Sequence, residues 1–320
     1  MRQSIPHALF MSAALLAGCS ADSVQGPRPS TASALFERSP SHAGGTFTFK
    51  TIDVPNALAT IAYGINARGD IVGTYVDAAH QQHGFRLRDG DYQTIDFRAA
   101  DGVLAAVTEA RGIGPDGEIV GDYAFAGEPA VNAHGYRLTK GGEFVPVNYP
   151  GHTNTVAQRI LPDGTILGCR HDNNTMGSMD GIVIGRDGNR EIGQLASMNN
   201  GATPDLRQMT GFYTNMSTGL SEGYLIVDGV FSSFTMPNAR TTAAWDMNPS
   251  GEIVGVYTDM AKTPHGFLRR GDDDYTSIDV SGASVTRAFG INARGDIVGS
   301  YVAGGQTHAF VTRITRDDDR

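Results

Sequence analysis

The run Tyr63-Gly64-Ile65-Asn66-Ala67-Arg68-Gly69-Asp70-Ile71-Val72-Gly73-Thr74-Tyr75 returns almost letter for letter as Phe289-Gly290-Ile291-Asn292-Ala293-Arg294-Gly295-Asp296-Ile297-Val298-Gly299-Ser300-Tyr301. Weaker copies lie between them: Gly117-Glu118-Ile119-Val120-Gly121, Gly164-Thr165-Ile166-Leu167-Gly168, Gly251-Glu252-Ile253-Val254-Gly255, and Gln208-Met209-Thr210-Gly211, which has lost its leading glycine. The closing glycines Gly73, Gly121, Gly168, Gly211, Gly255 and Gly299 are 43 to 48 residues apart. A step of this length marks a repeat array, in which each unit buries its apolar face only against its neighbours.

Each unit reads as four short strands. In the first, residues 60–65 form an alternating run, 70–76 and 83–88 are rich in β-branched and aromatic residues, and 92–97 make the fourth. The first turn carries Ala67, Pro115, Pro162, Pro249 or Ala293 at its second place and Gly69, Gly117, Gly164, Gly251 or Gly295 at its fourth. Proline presets φ for a type I turn, and the glycine suits the left-handed residue that follows. A second set of tight turns is Asp89-Gly90, Gly141-Gly142, Asp187-Gly188, Asp228-Gly229 and Arg270-Gly271. A meander returns to the same side at every second connection, so both sets share one end. The longer, variable connections, such as 76–82 and 170–179, gather at the other end, which is the expected working face.

The last unit has strands at 286–291, 296–302 and 308–314 and then no fourth. The missing strand stands at the other terminus, where Phe49-Lys50-Thr51-Ile52-Asp53 matches Tyr92-Gln93-Thr94-Ile95-Asp96 and Tyr275-Thr276-Ser277-Ile278-Asp279. A ring closed by an N-terminal strand explains the offset and leaves no long unpaired edge. The expected fold is therefore all-β: a six-bladed β-propeller of four-stranded antiparallel blades over 46–314, its last blade completed by the N-terminal strand. An open β-solenoid is the alternative. Thr60, Thr108, Thr155, Thr242 and Thr286, with Ala62, Ala110, Ala157, Ala244 and Ala288 two residues on, put small side chains on one parity of the inner strand, as expected for a strand crowding an axis.

After the Gly-Ile-Asn…Gly-x-Ile-Val-Gly stretch come His83-Gly84-Phe85, His134-Gly135-Tyr136, His265-Gly266-Phe267 and His308-Ala309-Phe310. Together these resemble a bacterial extracellular repeat family named for its His-Ala-Phe triplet, the HAF repeats. The resemblance covers 46–314 and implies export, but it brings no catalytic residues. Asp180-Gly181-Ile182 and Glu222-Gly223-Tyr224 depart from the triplet.

Residues 1–18 join a short basic end to an apolar run at 8–17, too short to span a bilayer and suited to an export signal. The run ends Leu16-Ala17-Gly18-Cys19, which is similar to the lipobox of bacterial lipoproteins. The similarity implies cleavage before Cys19 and acylation of that residue, and several acyl chains hold a protein stably on a membrane. Ser20 rather than Asp after the cysteine points to the outer membrane, on its periplasmic side or at the cell surface. Residues 19–45, rich in Ser, Pro, Ala and Gly, read as a flexible tether. Residues 315–320 read as a solvated tail. With Cys19 acylated, Cys169 has no partner for an intramolecular disulfide, and it reads as a packed side chain.

The net charge of -9 and the scattered Lys and Arg exclude a nucleic-acid-binding face. His83, His134, Asp180, Glu222, His265 and His308 occupy equivalent places, but blades separate them too far for the roughly 2 Å bonds of a metal centre. They read instead as a structural hydrogen-bond network with Asp53, Asp96 and Asp279 and the repeated threonines. No metal, cofactor or catalytic residue is assigned. The more informative positions are those where the units disagree on the inner strand: Glu109, Arg111, Gln158, Arg159, Trp245, Asp246 and Arg287. Charges near a crowded axis need partners or water. They form either inter-blade ion pairs, such as Asp246 with a neighbouring Arg, or a pocket at the loop-side mouth for an acidic or sugar-like ligand with Trp245 as a stacking surface. The reading is a monomeric, lipid-anchored propeller that binds a partner protein or glycan and is non-enzymatic. A hydrolase or lyase acting on glycans or lactones, and a structural cell-envelope protein, are the alternatives.

Overall fold

The structure is a computed structural model that describes residues 37–40, 45–129, 132–172 and 178–316. The leader 1–18, Cys19, most of the 19–45 tether and the last residues of the tail lie outside the described residues. Every described regular element but one helical residue at 178 is a strand or a turn. The first two strands are β1 (Glu37–Pro40) and β2 (Gly45–Thr51). Four-strand antiparallel meanders follow. They are β3 (Ala59–Ile65), β4 (Ile71–Val76), β5 (Gln82–Arg88) and β6 (Asp91–Ile95); then β7 (Val107–Ile113), β8 (Ile119–Ala124), β9 (His134–Leu138) and β10 (Phe144–Val147). Next come β11 (Asn154–Ile160), β12 (Ile166–His171), β13 (Asp180–Gly185) and β14 (Gly188–Leu195). Two more runs lead to the last: β15 (Ser197–Ala202), β16 (Gln208–Asn215), β17 (Leu220–Val227) and β18 (Val230–Phe234), then β19 (Thr241–Met247), β20 (Ile253–Thr258), β21 (Pro264–Arg269) and β22 (Tyr275–Ile278).

The final strands are β23 (Val285–Ile291), β24 (Asp296–Ala303) and β25 (Gln306–Arg316). Their fourth partner is β2, antiparallel to β25 with Phe49 opposite Thr312 and Thr51 opposite Phe310. β1 adds a further antiparallel strand outside β2, with Arg38 opposite Thr48. Part of the expected tether is thus a strand that covers an otherwise open sheet edge. Single parallel bridges, Thr307 to Ala59 and Gln82 to Val107, link neighbouring sheets at the loop end.

Turn chemistry follows the residues that dictate it. Gly69, Gly117, Gly164, Gly251 and Gly295 all have positive φ, from 77 to 96°. Asp89-Gly90 and Asp228-Gly229 are left-handed at both residues, the pattern of a type I′ hairpin. Arg270-Gly271 differs from the two-residue turn expected of it, because Arg270 N–H donates to Asp274 O across a wider loop. The Asn of the Gly-Ile-Asn motif shapes the turn and reaches beyond it. Asn66 Oδ1 accepts from the backbone N–H of Arg68 and Asp70, while Nδ2 donates to Gly114 O in the next sheet. Asn292 Nδ2 donates to Asn66 O and Asn248 Nδ2 to Asn292 O, so the asparagines chain one inner strand to the next and the last sheet to the first. Burial opposes ionisation of Asp70, yet hydrogen bonds from Arg88, Asn66 and Arg68 hold its carboxyl well below the usual range.

Every innermost strand carries a β-bulge, after Ala62, Ala110, Ala157, Asn199, Ala244 and Ala288. The bulge explains the glycines that mark the repeat: a Cβ on Gly73, Gly121, Gly168, Gly211, Gly255 or Gly299 would collide with a carbonyl oxygen of the inner strand beside it. The expected parity is also corrected. The repeated alanines face the neighbouring sheet, Ala62 among Ile52, Phe85 and Val298 and Ala288 among Phe49, Leu268 and Phe310. The opposite parity, including Tyr63, Val156, Met198, Ala243, Trp245 and Phe289, fills the centre.

The triplet divides its labour in the same way. Phe85, Tyr136, Tyr224, Phe267 and Phe310 are fully buried between sheets. A Cβ on Gly84 would come within 3.1 Å of Ile95 O and 3.3 Å of Ala110 N, so the small residue before the aromatic admits the next inner strand. A close approach at the centre lies after the bulge, where a Cβ on Gly112 would stand 2.7 Å from Gln158 O and 2.9 Å from Arg159 Cα. Gly112→Ala should lower unfolding free energy by about 1–3 kcal/mol in urea titrations, since backbone must move apart. A loss below about 0.5 kcal/mol would show that the inner strands are not held at this spacing.

Candidate functional site

The bulged residues Tyr63, Arg111, Gln158, Trp245 and Phe289 meet at the centre. Trp245 packs edge-on to Phe289 at 5.1 Å between ring centroids, Phe289 lies 5.3 Å from Tyr63, and the Arg111 guanidinium sits 5.3 Å over the Tyr63 ring. Arg111 Nη1 then donates to Gln158 Oε1 at 3.4 Å. Just past the bulge four of the equivalent positions are glycine (Gly64, Gly112, Gly201 and Gly290), and the other two are Arg159 and Asp246.

Arg159 occupies the centre itself. Its Nη1 donates to Arg111 O and Gln158 O, both at 2.8 Å, and its Nη2 to Tyr63 O at 3.0 Å, Phe289 O at 2.6 Å and Trp245 O at 3.3 Å. Its Nε lies 3.1 Å from Asp246 Oδ1, an ion pair off hydrogen-bond alignment. Asp246 also accepts from the backbone N–H of Met247 at 2.9 Å and of Ile291 at 3.0 Å. Burial, the larger effect, raises the Asp246 carboxyl despite the pairing. Carbonyls from five inner strands therefore converge on one buried guanidinium, which closes the centre near its tight-turn end.

Nearer the loop end lies a second network. Glu109 Oε1 accepts from Gln82 Nε2 at 2.5 Å, Glu109 Oε2 faces Arg111 Nη2, and Arg111 Nε pairs with Asp122. Burial pushes the Glu109 carboxyl up, with Arg111 opposing, while Asp122 and Glu109 outweigh burial to raise Arg111 and keep it cationic. The residues singled out from sequence thus do gather on the axis, and most engage one another as inter-sheet pairs. Gln158 Nε2 and Trp245 Nε1 are buried without a hydrogen-bond partner among the described residues. Trp245 is 5% exposed, so its ring is packed in the core rather than offered as a platform. Arg287, half-buried, stands apart from these pairs. Cys19 lies outside the described residues. Cys169 is buried in the central cluster, and burial pushes its thiol up to about 12, leaving it unreactive.

The triplet residues are spent locally. His83 Nδ1 bonds Asp96 at 2.7 Å, His265 Nδ1 bonds Asp279 at 2.7 Å and His308 Nδ1 bonds Asp53 at 2.6 Å. His134 Nε2 lies 2.9 Å from Glu128, Asp180 meets Ser197, and Glu222 accepts from Tyr213 and Asn215. The strand-ending aspartates therefore answer a histidine across the sheet, as the expected hydrogen-bond network requires. Sequence reasoning missed the tyrosine: Tyr75, Tyr257 and Tyr301 stack on His83, His265 and His308 at 5.0–5.1 Å. The Tyr that closes each Gly-x-Ile-Val-Gly-x-Tyr motif was its visible signal. The residue after the aspartate completes the corner, since Val54, Phe97 and Val280 N–H donate to Thr60, Thr108 and Thr286 Oγ1. Among the described residues no three His, Cys, Asp or Glu gather as metal ligands.

On the opposite, tight-turn side, a cleft of about 390 Å³ is lined by Thr203, Asp205, Arg207, Gln208, Asp228 and Pro249, among others. Arg207 there is held bidentately by Asp228 at 2.8 and 2.9 Å.

No protein-family model and no curated protein matches the sequence. Among solved structures, TolB from Acinetobacter baumannii is similar at 11% identity over 88% of this chain and 80% of that one, with a TM-score of 0.52. A TolB protein from Agrobacterium tumefaciens is similar at 17% identity, over 67% of this chain and 74% of that one, with a TM-score of 0.50. At such identities the likeness concerns fold. With the four-stranded antiparallel sheets, it makes the architecture a β-propeller.

Two outcomes follow from this geometry. Arg159→Met strips the centre of its donors and leaves Asp246 buried without its counter-charge, so unfolding free energy should fall by about 3–5 kcal/mol. Asp246→Asn combined with it should cost less than the sum of the single changes, a coupling of about 1 kcal/mol or more in a double-mutant cycle; additive losses would mean the pair does not interact.

His308 is raised by its hydrogen bond to Asp53, with burial opposing. A raised folded-state value means the pair's stabilisation is fully present below the ordinary 6.5 and is lost as pH rises through the higher value. The stability gap between wild type and His308→Gln should therefore be wider at about pH 5.5 than at about pH 8.5, and a gap independent of pH would refute the pairing.

Proposed function

We propose that the chain is an exported, lipid-anchored, six-bladed β-propeller that binds a partner protein or glycan through its loop face and catalyses no reaction. The blades are the four-strand meanders, with β2 completing the last and the contact of β23 with β3 closing the ring. The hydrogen bond from Asn292 to Asn66 and the close approach of Gly290 to Tyr63 O support that closure. The leader and Leu16-Ala17-Gly18-Cys19, with the HAF-repeat resemblance, support export and an anchor at the outer membrane.

The observation that carries the binding role is the apolar character of the loop-end connections. Met216 is 78% exposed, Met260 73% and Val103 51%, each on a different connection of that end. Apolar side chains held in water at the tips of separate loops suit a surface that another molecule covers. The axis, by contrast, offers poor ground for a pair of catalytic carboxylates. Glu109 and Asp246 are both buried and committed to Arg111 and Arg159.

The test uses the full chain in a bacterial host supplied with an alkyne-bearing fatty acid. Label and membrane fractionation should both be lost in Cys19→Ser; a labelled variant would remove the anchor. A photo-cross-linking residue replacing Met216 or Met260 should yield discrete adducts, while one replacing Val230, 70% exposed at the tight-turn end, should not. Adducts at Val230 alone would reverse the assignment of the working face.

A further inference from the structure

The buried or half-buried guanidiniums of the central region fall into two kinds. Arg111 pairs with Glu109 and Asp122, Arg159 with Asp246, and Arg170 with Glu191 and Asp180. Arg287 has neither an ion pair nor a hydrogen bond among the described residues, although burial is strong enough to lower its affinity for its proton. A desolvated guanidinium is costly unless something negative answers it, and Arg presents five donors and no acceptor.

Its place in the fold says where that answer comes from. Arg287 is the third residue of β23, opposite Ser300, at the position held by Ile61, Glu109, Val156, Met198 and Ala243 in the other sheets, of which Glu109 is committed to Gln82 and Arg111. The apolar ones belong to the central cluster or pack against it, so Arg287 points to the axis, one step nearer the loop end than Phe289. Below it the centre is sealed by the Trp245–Phe289–Tyr63 rings and by Arg159 with its carbonyls. Solvent therefore reaches Arg287 only along the axis from the loop face. On the far side of the axis, as the last residue of β12, His171 is 4% exposed with its Nδ1 bonded to nothing among the described residues. Burial holds that imidazole toward its neutral form, in which it serves as a hydrogen-bond donor or acceptor without adding charge.

We propose that the loop-side mouth of the axis is a blind recess for a small carboxylate, which Arg287 receives in a two-pronged hydrogen bond while the ring of apolar residues beneath it forms the floor. The fork of a guanidinium matches the two oxygens of a carboxylate, and water exclusion strengthens the pair. Glu109 and Asp122 share Arg111 nearby, so the recess is selective for a ligand compact enough to stay on the Arg287 side. This rests on the loop face being the working face and adds the chemistry of what enters it. The carboxylate belongs either to an acidic sugar or to an acidic amino-acid side chain.

Trp245 is the sole tryptophan of the chain and packs on Phe289, two residues from Arg287, so the recess has its own fluorescent reporter. Full-length protein in detergent would be titrated with D-glucuronate, with N-acetyl-aspartate amide and with D-glucose as the neutral counterpart, by tryptophan emission and by calorimetry. One carboxylate should bind saturably and glucose should not, and the one that binds identifies the source. Arg287→Gln should weaken binding at least tenfold, the loss of one charge-assisted contact. If Arg287→Gln does not fold, Arg287→Lys keeps the charge, loses the fork, and should also bind more weakly. No heat and no emission change with either carboxylate, or equal binding by the variants, would overturn the recess. Cross-links formed at Met216 or Met260 by the Arg287→Gln protein would show that loop-face binding stands even where the recess falls.

Discussion

One guanidinium answers the carbonyls of five of the six bulged inner strands. A β-bulge takes its residue out of the ladder, so its backbone carbonyl loses a partner and must find another if buried. Here every inner strand is bulged at the same place, and the bulges of Tyr63, Arg111, Gln158, Trp245 and Phe289 aim their carbonyls inward. Arg159 has donors enough to meet all of them and no acceptor to compete. Asp246, from another sheet, supplies the counter-charge and caps two backbone N–H groups besides. Without that pair, the ring of bulges would bury several acceptors with no donor in reach.

This constraint accounts for a pattern that looks functional in the sequence. An exact repeat would place the same residue after every bulge, yet only one guanidinium fits on the axis. The remaining positions must then be small, and Gly64, Gly112, Gly201 and Gly290 pack against the backbone of the next inner strand. A symmetric array thus has to break its symmetry at the centre. Disagreement between units at Arg159 and Asp246 is the structural consequence, whereas at Arg287 no such consequence explains the charge.

Much of the architecture was legible because it depends on local chemistry. Glycine after a type I turn, the Asp-Gly hairpins and the N-terminal strand matching Tyr275–Ile278 each require only residues close in sequence, or one substitution of a strand for its equivalent. What stayed hidden depends on the third dimension. The bulge has no composition of its own, and alternation alone does not say which parity faces the axis, so Ala62 and its equivalents face the neighbouring sheet where the axis was expected. The same blindness applied to Asn66, Asn248 and Asn292, which look like ordinary turn residues. Their Nδ2 groups cross to the adjacent sheet, a contact visible only once the sheets are side by side.

The candidate site shows the same division. Sequence brought Glu109, Arg111, Gln158, Arg159, Trp245, Asp246 and Arg287 together because each breaks the repeat on an inward strand, and the structure places them near one line. It separates them by depth and by partners, Glu109 and Arg287 standing at equivalent places on their strands. Arg159 and Asp246 lie where carbonyls converge and water is excluded, Glu109 and Arg111 lie in a network that includes Asp122 from the paired strand, and Arg287 lies above the aromatic floor. Depth along an axis is a property of register, so a change of one residue beside a bulge decides whether a charge is masonry or a site. The loop end is where that depth runs out. A charge there meets whatever enters from solvent, and evolution can change it without disturbing the carbonyl ring below.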